Sequence, residues 1–537
     1  MCIDTGDAGG PTWMPSSEVD RIAPGYAYKD VRGTRRMTDF TAEAPLTRLV
    51  RSFRTDGVRI ADTRAGDART GNARVGTYYD DLRERFDAVE PTIRAFVGER
   101  PDDVASDGHD DVDGRRNGRR NRNGRRNRNG RRNRNGRRNR DEGRFERIDR
   151  ALEARRETAR NEPNCPPLYG IPIGVKDVIH VDGLPTRAGS TVPPAALSGP
   201  EASVVTALRE AGAVVLGKTV TAEFAHFAPG PTRNPHDPGH TPGGSSSGSA
   251  AAVAAGLCPL ALGTQTIGSV NRPASFCGIV GVTPSAGRVP TDGIVPAAPS
   301  VDVVGYFTQD VAGARIAADV VYPDWRGASS PPPLERVGVM DGPYLDRADE
   351  VAREHLRTHV DRLDAAGYEV VRLPIVAGTD AEAAAVIDRH ETLVAAEFAR
   401  SHAELFPEYG DRYAPATAEL IREGRSVSAG TLADVRAGRS ALRDRVHSAM
   451  DANDLDVVVS PSAPGPAPEG IDSTGDPVLN LPWTHAGLPT VTVPATETDA
   501  GLPIGIQCIA RHGADERLLA WCSAIERAVA GGREWSM

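Results

Sequence analysis

Residues 241–278 constrain the fold more than any other stretch of this 537-residue chain. Thr241-Pro-Gly-Gly-Ser-Ser-Ser-Gly-Ser249 leads into an alanine-rich run, followed by Leu262-Gly-Thr-Gln-Thr-Ile-Gly-Ser-Val-Asn-Arg-Pro-Ala-Ser-Phe-Cys-Gly278. The pattern predicts a helix over Ser246–Ala255, ended by Gly256 as a C-cap, then a strand over Pro259–Thr264. Glycine-rich turns flank both elements and carry Ser245 and Ser269, 24 positions apart. The apolar run Ala250–Leu262 is too short to cross a bilayer and contains Gly256 and Pro259.

The same alternation extends on both sides. Arg144–Asn161 reads as a charged helix, Gly170–Lys176 as a buried strand, Ala202–Ala211 as an amphipathic helix and Ala213–Gly217 as its strand. Long helices are expected between residues 335 and 455, as in Asp349–Ala366 and Thr431–Ala452. Asp456–Ser460 and Thr490–Pro494 read as late core strands. Helix and strand in turn argue for an α/β layered fold. The divisions expected are a polar segment 1–44, a helical part 45–100 containing Tyr78–Phe86 and Pro91–Phe96, an insert 101–141 and a core 142–530.

The insert is acidic over Asp102–Asp113 and then repeats Gly-Arg-Arg-Asn-Arg-Asn with a period of six. No apolar residue occurs in the repeat to offset ordering entropy, so a disordered, solvated loop is expected. The repeat also lacks the aromatic residues that single-strand binding usually adds, which speaks against a nucleic-acid partner.

Residues 114–140 hold 14 arginines and no acid, so removing them from the net charge of −9 leaves −23 on the rest. Lysine occurs three times, at Lys29, Lys176 and Lys218. An acidic, lysine-poor surface suits a salt-rich cytoplasm, where screening shortens electrostatic range to about 3 Å at 1 M. Six scattered cysteines without a C-x-x-C pair point to a reducing, cytoplasmic setting and no cysteine metal site. The polar start of the chain lacks the apolar stretch of a signal peptide, and no membrane association is expected. His236 and His240 have i,i+4 spacing, but Pro235, Pro238 and Gly239 forbid the helix a metal site would need. No metal or cofactor is expected, and no phosphate-binding G-x-x-x-x-G-K-[ST] loop is present.

A lysine and two serines in glycine-rich turns are the parts needed for acyl transfer at an amide. Such a reaction requires a nucleophile, a base, an acid for the leaving amine and donors for the oxyanion. Ser269 is the candidate nucleophile. Arginine is protonated at any usable pH, whereas a desolvated lysine becomes a neutral base, which singles out Lys176 in its apolar strand. Ser245 would relay the proton between them. Backbone N–H groups of Thr266, Ile267, Gly268 and Ser269 are the candidate oxyanion hole. Gly243, Gly244 and Gln265 are candidate substrate contacts.

Gly170-Ile-Pro-Ile-Gly-Val-Lys-Asp177, Asn234-Pro235 leading to Pro242–Ser249, and Leu262–Gly281 resemble the amidase signature family, as do Gly487–Pro494 and Gly501–Gln507. The resemblance covers residues 45–530 outside the insert. It implies one large α/β domain, a mixed central sheet covered by helices, and a Ser–cis-Ser–Lys triad mapping to Ser269, Ser245 and Lys176. Four positions depart from the family. Gln265 stands where Asp is common, Ile267 where Gly or Ala is usual, Asn271 at an apolar or arginine position, and Thr283-Pro-Ser285 for Lys-Pro-Thr. Ile267 is expected to crowd the oxyanion pocket and limit the acyl group.

These observations favour a serine amidase acting on a small-molecule carboxamide, releasing ammonia or amine, with a homodimer left open. Two alternatives stand beside it: the glutaminase-like component of a tRNA-dependent amidotransferase, and a degenerate, non-catalytic amidase-like protein.

Overall fold

The computed structural model describes residues 46–53, 73–99, 143–156, 165–226, 228–327 and 332–530. The expected polar segment 1–44 and the repeat-bearing insert 101–141 lie outside the described residues.

Ten strands form one mixed sheet: β1 (Pro172–Lys176), β2 (Val214–Thr219), β3 (Leu260–Gln265), β4 (Val280–Thr283), β5 (Val303–Thr308), β6 (Arg336–Met340), β7 (Glu369–Leu373), β8 (Val457–Pro461), β9 (Thr490–Glu497) and β10 (Pro503–Ile509). Their order is β2-β1-β3-β5-β4-β9-β10-β8-β6-β7. Pairing is parallel at the two ends, β2-β1-β3 and β8-β6-β7, and antiparallel between them. Every residue of β1 to β5, β8 and β10 is buried, as expected of a sheet covered on both faces. This is the α/β class and large mixed sheet that the sequence led us to expect.

Two short helices packed within the core set up the site. Ser247–Ala254 is buried at every residue. Its small side chains permit close approach: a Cβ on Gly248 would lie 2.1 Å from the Ala95 carbonyl oxygen and 2.4 Å from Val220 N. Gly256 takes φ +65° just beyond its end, as a C-cap glycine should. Asn271–Cys277 is likewise fully buried and follows β3 after a five-residue turn, 266–270.

Longer helices form the outer layers, and several begin at side-chain caps. Asp310, Asp349, Thr379 and Ser428 accept from backbone N–H groups at the starts of Val311–Val321, Glu350–Ala365, Asp380–Ser401 and Ala429–Ala452. Among the described residues, no helix is long and apolar enough to cross a membrane.

The β2 edge is closed by the chain around it. Phe96 bridges to Thr219, Val97 N donates to the Lys218 carbonyl, and Arg144 and Arg147 donate to the Leu216 and Val215 carbonyls. Those carbonyls would otherwise offer an open sheet edge. Glu99 ion-pairs with Arg144 at 3.0 Å and with Arg147 at 2.8 Å.

Two local expectations differ from the structure. Tyr78–Phe86 and Pro91–Ile93 belong to one helix, Ala73–Ile93, with Pro91 in its last turn; Arg94 at φ 56° then turns the chain toward β2. The region 335–455, read as helical, also contains β6 and β7. Each is only five residues long, beside helices whose period dominates the local pattern.

Candidate active site

Lys176 ends β1, between β2 and β3, and is 0 % exposed. Its Nζ lies 2.8 Å from Ser245 Oγ, 2.8 Å from Thr264 Oγ1 and 3.3 Å from the Thr264 carbonyl oxygen. None of these partners carries charge. Burial therefore pushes the Lys176 pKa well below the ordinary lysine range, and the carboxylate of Asp302 only partly opposes this. A neutral amine in this position can accept the Ser245 proton.

Ser245 immediately precedes the N-terminal turn of helix Ser247–Ala254, and the Gly244–Ser245 peptide is cis. The neighbouring hydroxyls fix the helix. Ser246 Oγ donates to the Thr264 carbonyl, Ser247 Oγ to the Gly243 carbonyl and Ser249 Oγ to the Leu262 carbonyl.

Ser269 lies in the turn between β3 and helix Asn271–Cys277 and is 7 % exposed. It lines a pocket with Ser245. Ile267, Ala297, Val394 and Phe398 give that pocket apolar wall, while Arg272 and His226 complete its polar part. Burial lowers His226 to about 4, leaving its ring neutral at neutral pH.

The turn carrying Ser269 is held from three sides. Gln265 Oε1 accepts from Val270 N at 2.9 Å and Asn271 N at 3.0 Å. Thr484 Oγ1 donates to the Ile267 carbonyl at 2.7 Å and accepts from Gln265 Nε2 at 2.9 Å. Thr266 Oγ1 donates to Asp302 Oδ1 at 2.6 Å, while Asp302 Oδ2 accepts from Ala297 N and Ala298 N. In a trans peptide the C=O and the next N–H point in opposite directions. Fixing the Ile267 carbonyl on Thr484 therefore aims the Gly268 N–H the other way. No acceptor among the described residues takes the N–H of Ile267, Gly268 or Ser269. Gly268 has no room for a side chain, since a Cβ would sit 2.3 Å from Asn480 Oδ1.

The sequence-derived site residues thus divide into groups. Lys176 and Ser245 are in hydrogen-bond contact, and Ser245, Ser269, Thr266 and Ile267 share one pocket. Gly268 lies in the same turn. Gly243, Gly244 and Gln265, expected to touch substrate, are not in the pocket lining. Gly243 packs against Pro273, where a Cβ would meet the backbone at 2.8 Å, and the Gly244 carbonyl accepts from Arg272. Both amide atoms of Gln265 are engaged within the scaffold of the turn. Conversely, Arg272, His226, Val394 and Phe398 line the pocket without having been singled out as site residues. Val394 and Phe398 lie on helix Asp380–Ser401, a contact made by folding rather than by any local motif.

His236 and His240 form no shared site. His236 Nε2 is 2.9 Å from the Cys277 carbonyl, and His240 pairs with Asp237. Lys218, the other lysine in the described residues, pairs with Asp177 at 2.9 Å and donates to Thr186 Oγ1.

Comparisons with known proteins place the chain in a family. The family model for amidases matches residues 144–519. The chain is 35 % identical to AtzE of a Pseudomonas species, a component of 1-carboxybiuret hydrolase, over 67 % of this chain and 83 % of that one. It is 32 % identical over 421 residues to a glutamyl-tRNA(Gln) amidotransferase component of Koribacter versatilis, covering 68 % of this chain and 86 % of that one. An amidase crystal structure superposes with a TM-score of 0.69 at 26 % identity, covering 90 % of this chain and all of that one. A glycine-framed serine on a buried lysine, the mixed sheet and these likenesses converge: the chain belongs to the amidase family and is an enzyme that hydrolyses amide C–N bonds.

Proposed function

We propose that this amidase works through an acyl-Ser269 intermediate, with Lys176 as the base and Ser245 as the proton relay. The observation that carries the reading is the 2.8 Å contact between Lys176 Nζ and Ser245 Oγ, made without any carboxylate partner for the lysine. Ser269 Oγ attacks the amide carbon while its proton passes to Ser245 Oγ, which gives its own to the neutral Lys176 amine. The new alkoxide is stabilised by N–H groups of the turn Ile267–Ser269. Collapse breaks the C–N bond, and the departing nitrogen takes the proton back through Ser245. Water then attacks the acyl ester along the same relay and frees the carboxylate. No metal or cofactor is required by this sequence of steps.

The test is ammonia release from aliphatic and aromatic amides and glutamine, at low and at molar salt, for wild type and Ser269→Ala. Release abolished by the substitution, with fluorophosphonate labelling of Ser269 in the wild type, supports the reading. Release that survives in Ser269→Ala overturns it. The salt series also tests whether the acid-rich, lysine-poor composition reflects a salt-rich cytoplasm.

A second reading is favoured by the 32 % identity to the amidotransferase component. There the same triad would release ammonia from glutamine for a partner protein. Glutamine as the sole substrate, together with co-purification of a second protein, would select it.

A further inference from the structure

Helix Ala429–Ala452 carries four arginines, of two kinds. Arg436 and Arg445 are answered by carboxylates, Glu397 at 2.6 Å and Glu382 at 2.9 Å. Arg439 and Arg443 pair with no carboxylate among the described residues. In a chain with 73 acidic side chains against 64 lysines and arginines, a carboxylate partner is the ordinary outcome.

Arg439 and Arg443 are one turn apart on one face of the helix. Both are half-buried, and both reach the same point. A Cβ on Gly487 would lie 3.4 Å from Arg439 Nη2 and 3.9 Å from Arg443 Nη1. His447, a further turn along that face, accepts the His512 backbone N–H on Nε2 at 3.1 Å, so its neutral ring carries the proton on Nδ1. His512 Nε2 lies 3.1 Å from the Ala286 carbonyl, and Ala286 N donates to the Gly487 carbonyl, which closes the row from Gly487 to His447. The nearby acids are engaged elsewhere. Glu397 holds Ser300 as well as Arg436, and Asp451 holds Arg511 at 2.6 Å. Arg439 Nε donates to the His485 carbonyl at 3.1 Å, which leaves its Nη groups, and Arg443 makes no hydrogen bond among the described residues. Burial, and then the charge of Arg443, lower the Arg439 pKa, as expected of two like charges held together.

Two half-buried guanidiniums that repel each other are stabilised by an anion placed between them. Fork geometry selects its shape. A carboxylate has two oxygens and fills one fork, whereas a tetrahedral phosphate group has oxygens for two forks and for the His447 donor as well. We propose that Arg439, Arg443 and His447 form a binding site for a phosphate group, either inorganic or carried by a small molecule. None of the three lines the pocket of Ser269. The site stands behind the turn instead: Arg439 holds His485, whose neighbour Thr484 holds the Ile267 carbonyl. It does not depend on the acyl-Ser269 reading.

The test is calorimetric titration with inorganic phosphate and with glycerol phosphate, at constant ionic strength set by sodium chloride. Wild type is expected to bind phosphate saturably, one per chain. Arg439→Gln and Arg443→Gln should each weaken that binding by about 10–10²-fold, the scale of hydrogen bonds to a charged group. Arg445→Gln removes the same charge from the same helix, but from an exposed ion pair, and should leave the affinity within about twofold. Binding that falls as far in Arg445→Gln reflects diffuse charge and overturns the proposal. So does an affinity unchanged in Arg443→Gln, or a wild type without saturable binding. Arg443 holds no part of the scaffold by hydrogen bonds, so that variant decides the matter should Arg439→Gln, which loses the His485 contact, fail to fold. Ser269→Ala should bind phosphate as wild type does; loss there would put the anion in the pocket and overturn the site. Glycerol phosphate binding more tightly than inorganic phosphate supports a phosphate ester as the ligand, and the reverse order supports the free ion.

Discussion

Lys176 and Lys218 lie on adjacent strands and are almost equally buried, at 0 % and 3 % exposure. The register pairs Lys176 with Thr219 and Lys218 with Val175, so the two lysines project from opposite faces of the sheet. Lys218 meets the Asp177 carboxylate at 2.9 Å and Thr186 Oγ1. Lys176 meets two hydroxyls and a carbonyl. Desolvation lowers both pKa values, but at Lys218 the bonded carboxylate supports the ammonium, while at Lys176 only the more distant Asp302 does. Burial alone therefore does not make a base. On the proposed mechanism, the base arises where burial is combined with the withholding of a counter-ion.

That contrast can be broken by exchanging what each lysine supplies. The largest effect is expected from Lys176→Met: kcat/KM should fall by ~10⁴-fold or more, as for removal of a member of a catalytic unit. Stability, followed by urea denaturation, should change by about 1 kcal/mol or less, since no ion pair is broken. Lys218→Met should do the reverse. It strands the buried Asp177 carboxylate and should cost about 3–5 kcal/mol of stability. At temperatures where it stays folded, its kcat should remain within about tenfold of wild type, because no atom of Lys218 reaches the pocket.

Smaller effects sharpen the picture at the turn itself. Thr484→Val removes the donor that holds the Ile267 carbonyl and should lower kcat by about 10²-fold, the order of one lost oxyanion donor, with KM little changed. The smallest effect concerns pH. Activity should rise with pH as Lys176 loses its proton, at a pKa well below the ordinary lysine value of 10.5. Asp302 favours the protonated form, so Asp302→Asn should move this rising limb to lower pH, by about one unit or less. A limb that moves upward, or stays fixed, would show that another group controls it.

The amidase assignment was legible in the sequence because the motifs that carry it are local. Ser245 and Ser269 sit in short glycine-rich turns, and Lys176 stands out in a chain with three lysines. The strand and helix boundaries around them were readable within a residue or two: Pro259–Thr264 was expected and Leu260–Gln265 is found. The pocket was less legible, since Phe398 and Val394 come from a helix more than a hundred residues away from Ser269 in the chain.

The family departures were visible one by one, but their relation was not. Gln265 Nε2 donates to Asn271 Oδ1 at 2.9 Å, and Thr283 Oγ1 donates to the same oxygen at 2.7 Å. Gln265, Asn271 and Thr283, three separate departures, are one neutral hydrogen-bonded cluster. The cluster keeps these buried groups satisfied without an ion pair. Ile267 is a different matter: it stands in the pocket wall itself.

The closed edge of β2 has a consequence for how this protein can change over time. Glu99 and Arg144, which flank residues 100–142 in the chain, are joined by an ion pair of 3.0 Å and anchored to the same strand. The entropy of closing a loop grows only with the logarithm of its length, about 0.6 kcal/mol for each doubling. A connection between these fixed ends can therefore be lengthened or shortened at little energetic cost to the sheet. The same point of the fold is a natural place to graft a foreign segment while leaving the turns that carry Ser245 and Ser269 untouched.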